Sequence, residues 1–232
     1  MIKVIELPID KDMGGLTSYV LQLYRMIDKK EFELTLLSYD DSQNFDVNYN
    51  VETVSRPYHI IQFYKKMKCL LSEEKNIIHF HQSYVNIIPI LIAKLAGFKT
   101  IILHAHSSSI DDNRKIVRFL KTGLHKVGRF LLPYLVDTYI GCSTKASEWM
   151  FPRKCIDSDS YYLLHNAIDL DLYDRNINLG LEVRQKFNIP KDALVVGHIG
   201  RFTPVKNHLF IIDIFKEVLK QNPNSYFSWG MV

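Results

Sequence analysis

The sequence predicts an α/β fold in which parallel strands alternate with helices. Apolar runs of strand length, such as Ile2–Leu7 and Ile77–His81, are separated by segments with apolar residues at helical spacing. This alternation is typical of a parallel sheet that is covered by helices on both faces. Hydrophobic residues make up 47% and charged residues 23% of the 232 residues, as in globular proteins with a sizeable core.

The first part of the chain carries most of the predicted elements. Strands are predicted at Ile2–Leu7, Glu33–Ser38, Ile77–His81, Lys99–His106, Thr138–Cys142 and Tyr161–Leu164. Helices are predicted between Leu16 and Ile27 and at Pro57–Ser72, Tyr84–Ala96, Asn113–Leu132 and Ser143–Phe151, the last capped by Ser143 or Thr144. The polar segments Asp40–Asn50 and Pro152–Ser160 are predicted to be irregular.

A second α/β unit is predicted after a polar linkage between about residues 165 and 180. A helix at Leu181–Phe187 precedes the stretch Leu194–His208, which reads as a strand, a turn and a helix start, and a last strand follows at Tyr226–Trp229. We therefore expect a Rossmann-like domain at 1–165 and the opening of a second one at 166–232. So few elements are too small for an independent core, and we expect this second domain to be cut short.

Two turns have features of a phosphate site. The turn after Leu194–Ile199 carries Arg201 and Lys206 before a helix start, where backbone N–H groups are unpaired and the helix dipole is positive. Arg201 can bind phosphate oxygens bidentately, and Lys206 adds a compact charge. Gly14 and Gly15 stand between the first strand and the first helix, where they allow close backbone approach to a ligand. The alternatives are that Arg201 and Lys206 are merely solvated, and that the turn with Gly14 and Gly15 simply needs a positive φ.

Ligands of open parallel sheets bind beyond the carboxyl ends of the strands. His81, the glycine pair, His104 and His106 with Ser107–Ser109 all fall at such ends. We expect His104 and His106 to point to opposite faces, with one of them buried and the other in the cleft; a purely structural histidine is the alternative. Asp169 and Asp171 match a D-x-D metal pattern, although they can equally cap a turn.

Several function classes are disfavoured. The net charge of +4 is too small to indicate nucleic acid. No GxGxxG follows a candidate first strand, which argues against a nicotinamide enzyme, and we find no zinc spacing, P-loop or Ser/His/Asp arrangement. Three cysteines without metal spacing are expected to be free thiols in a reducing compartment. With no signal peptide or membrane-spanning run in the sequence, we expect a cytoplasmic protein.

The predicted helix Asn113–Leu132 is basic and amphipathic. An apolar stripe runs along it, and six lysine and arginine residues occupy the remaining positions. Such a helix can lie on an anionic membrane surface, and the alternative is a solvated helix face.

In this order, the phrases LHAHSSS, GCSTKASEWMF, HNAID and IGRFTPVKNH resemble family 4 glycosyltransferases of the GT-B fold, in particular the exopolysaccharide and capsule group. The resemblance implies retaining transfer of a sugar from a nucleotide-diphosphate donor to a lipid-linked or saccharide acceptor. It implies neither a metal nor a cofactor besides the donor substrate.

The resemblance also implies roles for individual residues. Arg201 and Lys206 match the family's cations that bind the donor diphosphate, and Gly14 and Gly15 match the glycines that lie against diphosphate and acceptor. His106, rather than His104, matches the histidine that contacts the donor sugar. The donor- and acceptor-binding set further includes Ser107, Asn166 and Asp169.

The family's glutamate pair, which holds the donor sugar and ribose, would follow the last residue of this sequence. We therefore expect this polypeptide to be inactive by itself or to need a complementing chain. Two alternatives stay open: a sugar-nucleotide epimerase of similar architecture, and a non-catalytic membrane-associated subunit or truncated gene product.

Overall fold

The structure is a computed structural model that describes residues 1–11, 14–73, 76–170, 177–200 and 202–230. By its internal contacts the chain divides into two compact units, unit 1 (Met1–Ala167) and unit 2 (Ile168–Val232). The division falls two residues after the boundary expected at residue 165.

Unit 1 alternates strands and helices, as predicted. Its strands are β1 (Ile2–Ile9), β2 (Phe32–Ser38), β3 (Val51–Thr53), β4 (Ile77–Gln82), β5 (Thr100–Ala105), β6 (Thr138–Gly141) and β7 (Tyr161–Leu163). Its helices are α1 (Gly15–Met26), α2 (Ile60–Leu70), α3 (Ile87–Ala96), α4 (Lys115–Leu135), α5 (Thr144–Met150) and α6 (Arg153–Ile156). Ser143 caps α5, because its side chain accepts a hydrogen bond from the Ala146 N–H at 3.2 Å.

The seven strands form one parallel sheet in the order β3-β2-β1-β4-β5-β6-β7. From β1 the following strands are added toward one edge of the sheet, and from β4 onward they are added toward the other edge. Ligands of such sheets bind at the point where this order of addition reverses. The predicted parallel α/β architecture is thus confirmed, and it places the carboxyl ends of β1, β4 and β5 side by side.

The core of unit 1 lies on both faces of this sheet. A smaller apolar cluster contains Val20 and Leu21 of α1 together with Val4 of β1. A larger cluster contains Ile5 and Leu7, which alternate with Val4 along β1 and therefore point to the other face. Glu6 points to the same face as Val4, and it is a buried charged residue, whereas Lys3 near the start of the strand is half-buried.

Helix α4 is fixed at its middle to the segment that precedes α3. A Cβ atom added at Gly128 would overlap Cγ1 of Val85 and lie 3.1 Å from its Cβ. One turn earlier, Nδ1 of His125 accepts a hydrogen bond from the Val85 N–H at 3.0 Å. One face of the His125 ring is covered by Trp149, which stacks on it with a centroid distance of 4.2 Å.

Unit 2 contains α7 (Ile177–Lys186), β8 (Leu194–Ile199), α8 (His208–Gln221) and β9 (Ser225–Gly230). β8 and β9 form a parallel pair, and a short 3-10 turn (Pro204–Lys206) lies between β8 and α8. The predicted strand, turn and helix are therefore present.

Candidate functional site

Four histidines and one glutamate lie on one face of the central strands of unit 1. Glu6 is on β1, His79 and His81 are on β4, and His104 and His106 are on β5 and directly after it. The parallel register pairs Glu6 with His79 and His81 with His104. Since residues two apart in a strand share a face, all five side chains meet. We call the four histidines the histidine cluster.

The expectation that His104 and His106 point to opposite faces is wrong. Their ring centroids lie only 4.1 Å apart, because strand side chains alternate with a period of two and these residues are two positions apart. His104 is fully buried, and His106 is partly exposed.

Glu6 anchors the cluster through a single carboxylate oxygen. Its Oε2 lies 3.0 Å from Nδ1 of His79 and 2.6 Å from Nε2 of His81. Burial by itself raises the pKa of Glu6, but the charge of His79 and the hydrogen bonds from both histidines outweigh burial and lower the pKa to about 2. Glu6 is therefore an ionised, buried hydrogen-bond acceptor at neutral pH.

His81, His104 and His106 are neutral at that pH. Burial, reinforced by the neighbouring His79, lowers the pKa of His81 to about 4. Burial and the nearby histidines also lower the pKa of His106 to about 2 and hold that of His104 far below its usual range. A neutral imidazole has one N–H donor and one acceptor nitrogen. His81 connects two of these residues, because its Nδ1 lies 2.9 Å from Nε2 of His106.

Tyr19 of α1 covers the cluster. Its ring centroid lies 5.9 Å from that of His81, 5.2 Å from that of His104 and 5.1 Å from that of His106. Burial and the Glu6 charge raise the pKa of Tyr19 to about 12, so its hydroxyl stays protonated. Because Tyr19 lies one turn after Gly15, α1 brings its glycine start to the same edge of the sheet as His106.

The backbone conformation of the glycine pair does not require glycine. Gly14 has φ −75° and Gly15 begins the helix, so the alternative of a turn that needs positive φ is wrong. A Cβ atom at Gly15 would meet nothing within 4 Å. Within the described part of the chain, no side chain caps α1, which leaves the backbone N–H groups of its first turn open to a ligand.

An apolar cavity of about 200 Å³ adjoins Tyr19 within unit 1. Its other lining residues come from α1 and from the segment after β7, and they are Gln22, Leu23, Met26, Leu164, His165 and Ala167. His165 is held by a 3.2 Å hydrogen bond between its Nδ1 and the Cys142 carbonyl. The predicted binding residue Asn166 is exposed between two of these lining residues.

Ser107 directly follows His106 and is engaged locally. Its hydroxyl donates to the Ser109 carbonyl at 3.0 Å and accepts from the Ser109 N–H at 3.3 Å. The structure thus brings Gly14, Gly15, His106 and Ser107 to one edge of unit 1.

Three of the predicted residues belong to unit 2. Lys206 ends the 3-10 turn with an exposed side chain, and a Cβ at Gly200 would lie 3.6 Å from its Cδ. Among the residues that the structure describes, no side chain caps the start of α8, which follows Asn207 at φ 46°. Asp169 is half-buried. Arg201, like Asp171 of the D-x-D pattern, lies outside the described residues.

Part of the cluster also has the composition of a metal site. One nitrogen each from His79, His81 and His104 lie within 4.8 Å of one another. However, the contacts to Glu6 and His106 engage both nitrogens of His81, so a metal ion bound there would have to replace one of these hydrogen bonds. This geometry favours a hydrogen-bonded network, and the expectation of a metal-independent protein stays a prediction.

Sequence reasoning missed Glu6 and His79. Two signals were available: a carboxylate inside the apolar run IKVIELPI, and two H-x-H pairs at the ends of consecutive predicted strands, His79/His81 and His104/His106. Period-two spacing on neighbouring parallel strands places such pairs side by side.

Comparison with known proteins identifies the family of the chain. The model of Glycosyltransferase Family 4 matches residues 13–172. EpsF of Bacillus subtilis (strain 168), a protein named as a glycosyltransferase, is 26% identical over 221 residues, which cover 87% of this chain and 54% of EpsF. The UDP-Gal:alpha-D-GlcNAc-diphosphoundecaprenol alpha-1,3-galactosyltransferase of Escherichia coli is 21% identical over 239 aligned residues, which cover 97% of this chain and 61% of the enzyme. The chain thus spans between about half and three fifths of the length of these relatives.

The fold agrees as well. The crystal structure of Anabaena Alr3699/HepE in complex with UDP-glucose superposes with a TM-score of 0.70 at 16% identity, over 99% of this chain and 60% of that one. This likeness supports the GT-B-like architecture. Because the family match extends over more than half of the sequence, the chain belongs to glycosyltransferase family 4.

Proposed function

We propose that this protein serves the retaining transfer of a sugar from a nucleotide-diphosphate donor to a lipid-linked or saccharide acceptor in cell-surface polysaccharide synthesis. One observation carries the proposal: the open glycine start of α1, Tyr19 and His106 lie at one edge of the unit 1 sheet, where its strand order reverses. Family membership favours transfer over the epimerase alternative. Analysis of the products with and without acceptor separates the two reactions.

The charges of the site suit a diphosphate leaving group. As the sugar bond breaks, the leaving diphosphate gains negative charge, which fixed cations and helix starts stabilise. In unit 2, Lys206 and the start of α8 are suited to this role, and Arg201 joins them by its place in the sequence. In unit 1, the start of α1 is by itself also suited to hold a phosphate. Glu6 is buried and accepts hydrogen bonds from two histidines, so it is not available to attack the sugar. Glu6 is therefore not a candidate nucleophile for a covalent sugar intermediate.

We expect Lys206→Ala to weaken binding of UDP-glucose or UDP-galactose to the full chain by about tenfold or more, because a hydrogen bond to a charged group contributes about 1.5–3 kcal/mol. Isothermal titration calorimetry measures the change. Lys220→Ala is the matched control, because Lys220 is an exposed lysine of the same unit that pairs with Glu217 at 2.7 Å. Equal affinities of the two variants would contradict the role of Lys206, and absence of nucleotide binding in the unsubstituted chain would contradict the donor class.

We propose further that α4 binds an anionic membrane surface at the inner face of the cell membrane. Its outward face carries a continuous stripe of exposed apolar side chains: Ile116, Phe119, Leu120, Val127, Phe130 and Tyr134. Exposed cations flank this stripe at Lys115, Arg118 and Lys126. Within the described residues, no helix is both long enough and apolar enough to cross a membrane.

The helices that pack beside α4 also expose apolar side chains. α3 packs between α2 and α4, and both α2 and α3 expose large apolar side chains. These are Ile60 and Ile61 on α2 and Leu91 and Leu95 on α3. Exposed lysines at positions 65 and 68 add positive charge to α2. Apolar side chains interspersed with cations are the chemistry that an anionic bilayer surface binds, which favours a membrane over a protein partner.

We expect the protein to sediment with vesicles that contain phosphatidylglycerol but not with purely phosphatidylcholine vesicles, and to do so less as salt rises. The double variant Phe119→Ser/Phe130→Ser should lose about tenfold or more of this binding, because each phenyl ring contributes apolar area. Phe187→Ser in unit 2, also an exposed phenylalanine, is the control. No binding, or binding that is independent of salt, would contradict the proposal.

A further inference from the structure

We infer that Glu6 and His81 fix the tautomer of His106, so that His106 presents Nδ1 as a hydrogen-bond acceptor to a hydroxyl group of the bound sugar. In this arrangement Glu6 and His81 are positioning residues, and His106 is the residue that contacts the ligand. The tautomer follows from the structure alone, whereas the contact with a sugar rests on the proposed function.

The first step is the contact between Glu6 and His81. An ionised carboxylate has no proton to donate and only accepts hydrogen bonds. Oε2 of Glu6 lies 2.6 Å from Nε2 of His81, so the proton between them belongs to Nε2. His79 donates from its Nδ1 to the same oxygen at 3.0 Å, and its Nε2 has no hydrogen-bond partner among the described residues.

The second step is the hydrogen bond between His81 and His106, whose direction follows from the protonation of His81. Burial keeps His81 neutral, so with the proton on Nε2 its Nδ1 is a lone pair. That lone pair lies 2.9 Å from Nε2 of His106, which must therefore carry a proton and donate it. The other neutral tautomer would set two lone pairs against each other inside the protein. Since a buried group without a partner is destabilised by about 1–3 kcal/mol, that form should be roughly 5- to 150-fold rarer.

The third step concerns the free side of the ring. His106 is also neutral, so with its proton on Nε2 its Nδ1 is an acceptor. In the part of the chain that the structure describes, no hydrogen bond reaches this atom, and the side chain is partly exposed. A lone pair cannot donate to a phosphate oxygen, but it accepts from a hydroxyl group. His106 is thus suited to the sugar part of a donor and not to its diphosphate.

The tautomer can be measured without any ligand. In the ¹⁵N-labelled full chain at pH 7, two-bond ¹H–¹⁵N correlation spectra report which ring nitrogen of His106 is protonated, and we expect Nε2. Glu6→Gln should convert this single form into a mixture or into the Nδ1–H form, because an amide can donate to Nε2 of His81 and reverse the direction of the chain. Glu52→Gln, which removes the same charge from a residue paired with Lys66 at 2.7 Å, should leave the tautomer unchanged.

A charged His106, or one protonated at Nδ1, in the unsubstituted protein would overturn the inference. The unsubstituted spectrum decides this even if Glu6→Gln fails to fold. Because this experiment contains neither the sugar donor nor the sugar acceptor, its failure is distinct from failure of the proposed function.

The role of His106 as a hydrogen-bond acceptor is tested with analogues of UDP-glucose and UDP-galactose in which single sugar hydroxyls are replaced by hydrogen or fluorine. Neither substituent can donate a hydrogen bond. We therefore expect one position at which both analogues bind about tenfold more weakly than the parent, and we expect this difference to vanish in His106→Phe. If the fluorinated analogue binds as tightly as the parent at every position, or if the difference persists in His106→Phe, His106 is not the acceptor.

Discussion

Gly128→Ala is expected to lower the free energy of unfolding of unit 1 by about 1–3 kcal/mol, the usual effect of overpacking a core. The added methyl group would overlap Cγ1 of Val85, which is fully buried and cannot move aside into solvent. The same region holds the hydrogen bond from Val85 to His125, so a shift of α4 would strain that bond as well. Urea denaturation followed by circular dichroism measures the loss.

A double-mutant cycle identifies the cause. Val85→Ala alone leaves a cavity, whereas Val85→Ala/Gly128→Ala fills part of it, so the two changes together should be less destabilising than their sum. Gly123→Ala in the same helix is the matched control. Its added methyl group meets nothing within 4 Å, so it should stabilise the protein by about 0.5–1 kcal/mol through helix propensity alone. Additive effects in the cycle would show that the two side chains are not the ones in conflict.

The second large effect is acid sensitivity. The folded-state pKa of His81 lies near 4 and that of His104 lower still, against 6.5 for an unperturbed histidine. Between pH 6.5 and 4 the unfolded chain therefore binds protons that the folded chain does not, and stability falls as the pH falls. Each fully buried histidine contributes up to about 1.4 kcal/mol per pH unit, so the pair contributes up to about 3. Glu6, with a pKa lowered to about 2, extends the loss below pH 4.5 in the same direction.

Urea unfolding at a series of pH values from 7.5 to 4.5 measures this slope, with Trp149 as the fluorescent probe of unit 1 in a Trp229→Phe background. His104→Leu should reduce the slope by up to about 1.4 kcal/mol per pH unit, because it removes a buried group whose two nitrogens have no hydrogen-bond partner among the described residues. His59→Gln, which changes an exposed histidine, should leave the slope unchanged. An equal slope in His104→Leu and the unsubstituted protein would contradict the assigned cause.

Strong periodicity made most of the fold predictable. The long helix predicted at Asn113–Leu132 is observed as Lys115–Leu135, and it continues through Pro133 where a proline usually favours an end. The sequence does not predict two short elements: α6 lies inside the segment Pro152–Ser160, and β3 directly follows the segment Asp40–Asn50. β3 is held by its pairing with β2, and α6 packs against α5, so tertiary contacts determine both of them.

The site was less predictable than the fold. Residues at the ends of strands were found from topology, because any parallel sheet gathers them at one edge. Glu6 lies in the middle of β1, and its role depends on the register that pairs it with His79 across the sheet. The register between strands that are distant in sequence is set by the packing of the whole domain. Local patterns of residues hold no information about it.

The lengths of the outermost strands have a practical consequence for handling the protein. β3 and β7, at the two sides of the large sheet, have only three residues each, so unit 1 offers few unpaired backbone groups to another molecule. β8 and β9 have six residues each, and among the described residues they pair only with each other. If the two units are expressed separately, aggregation by strand addition should therefore be the hazard of unit 2, and unit 1 should be the better behaved piece for spectroscopy.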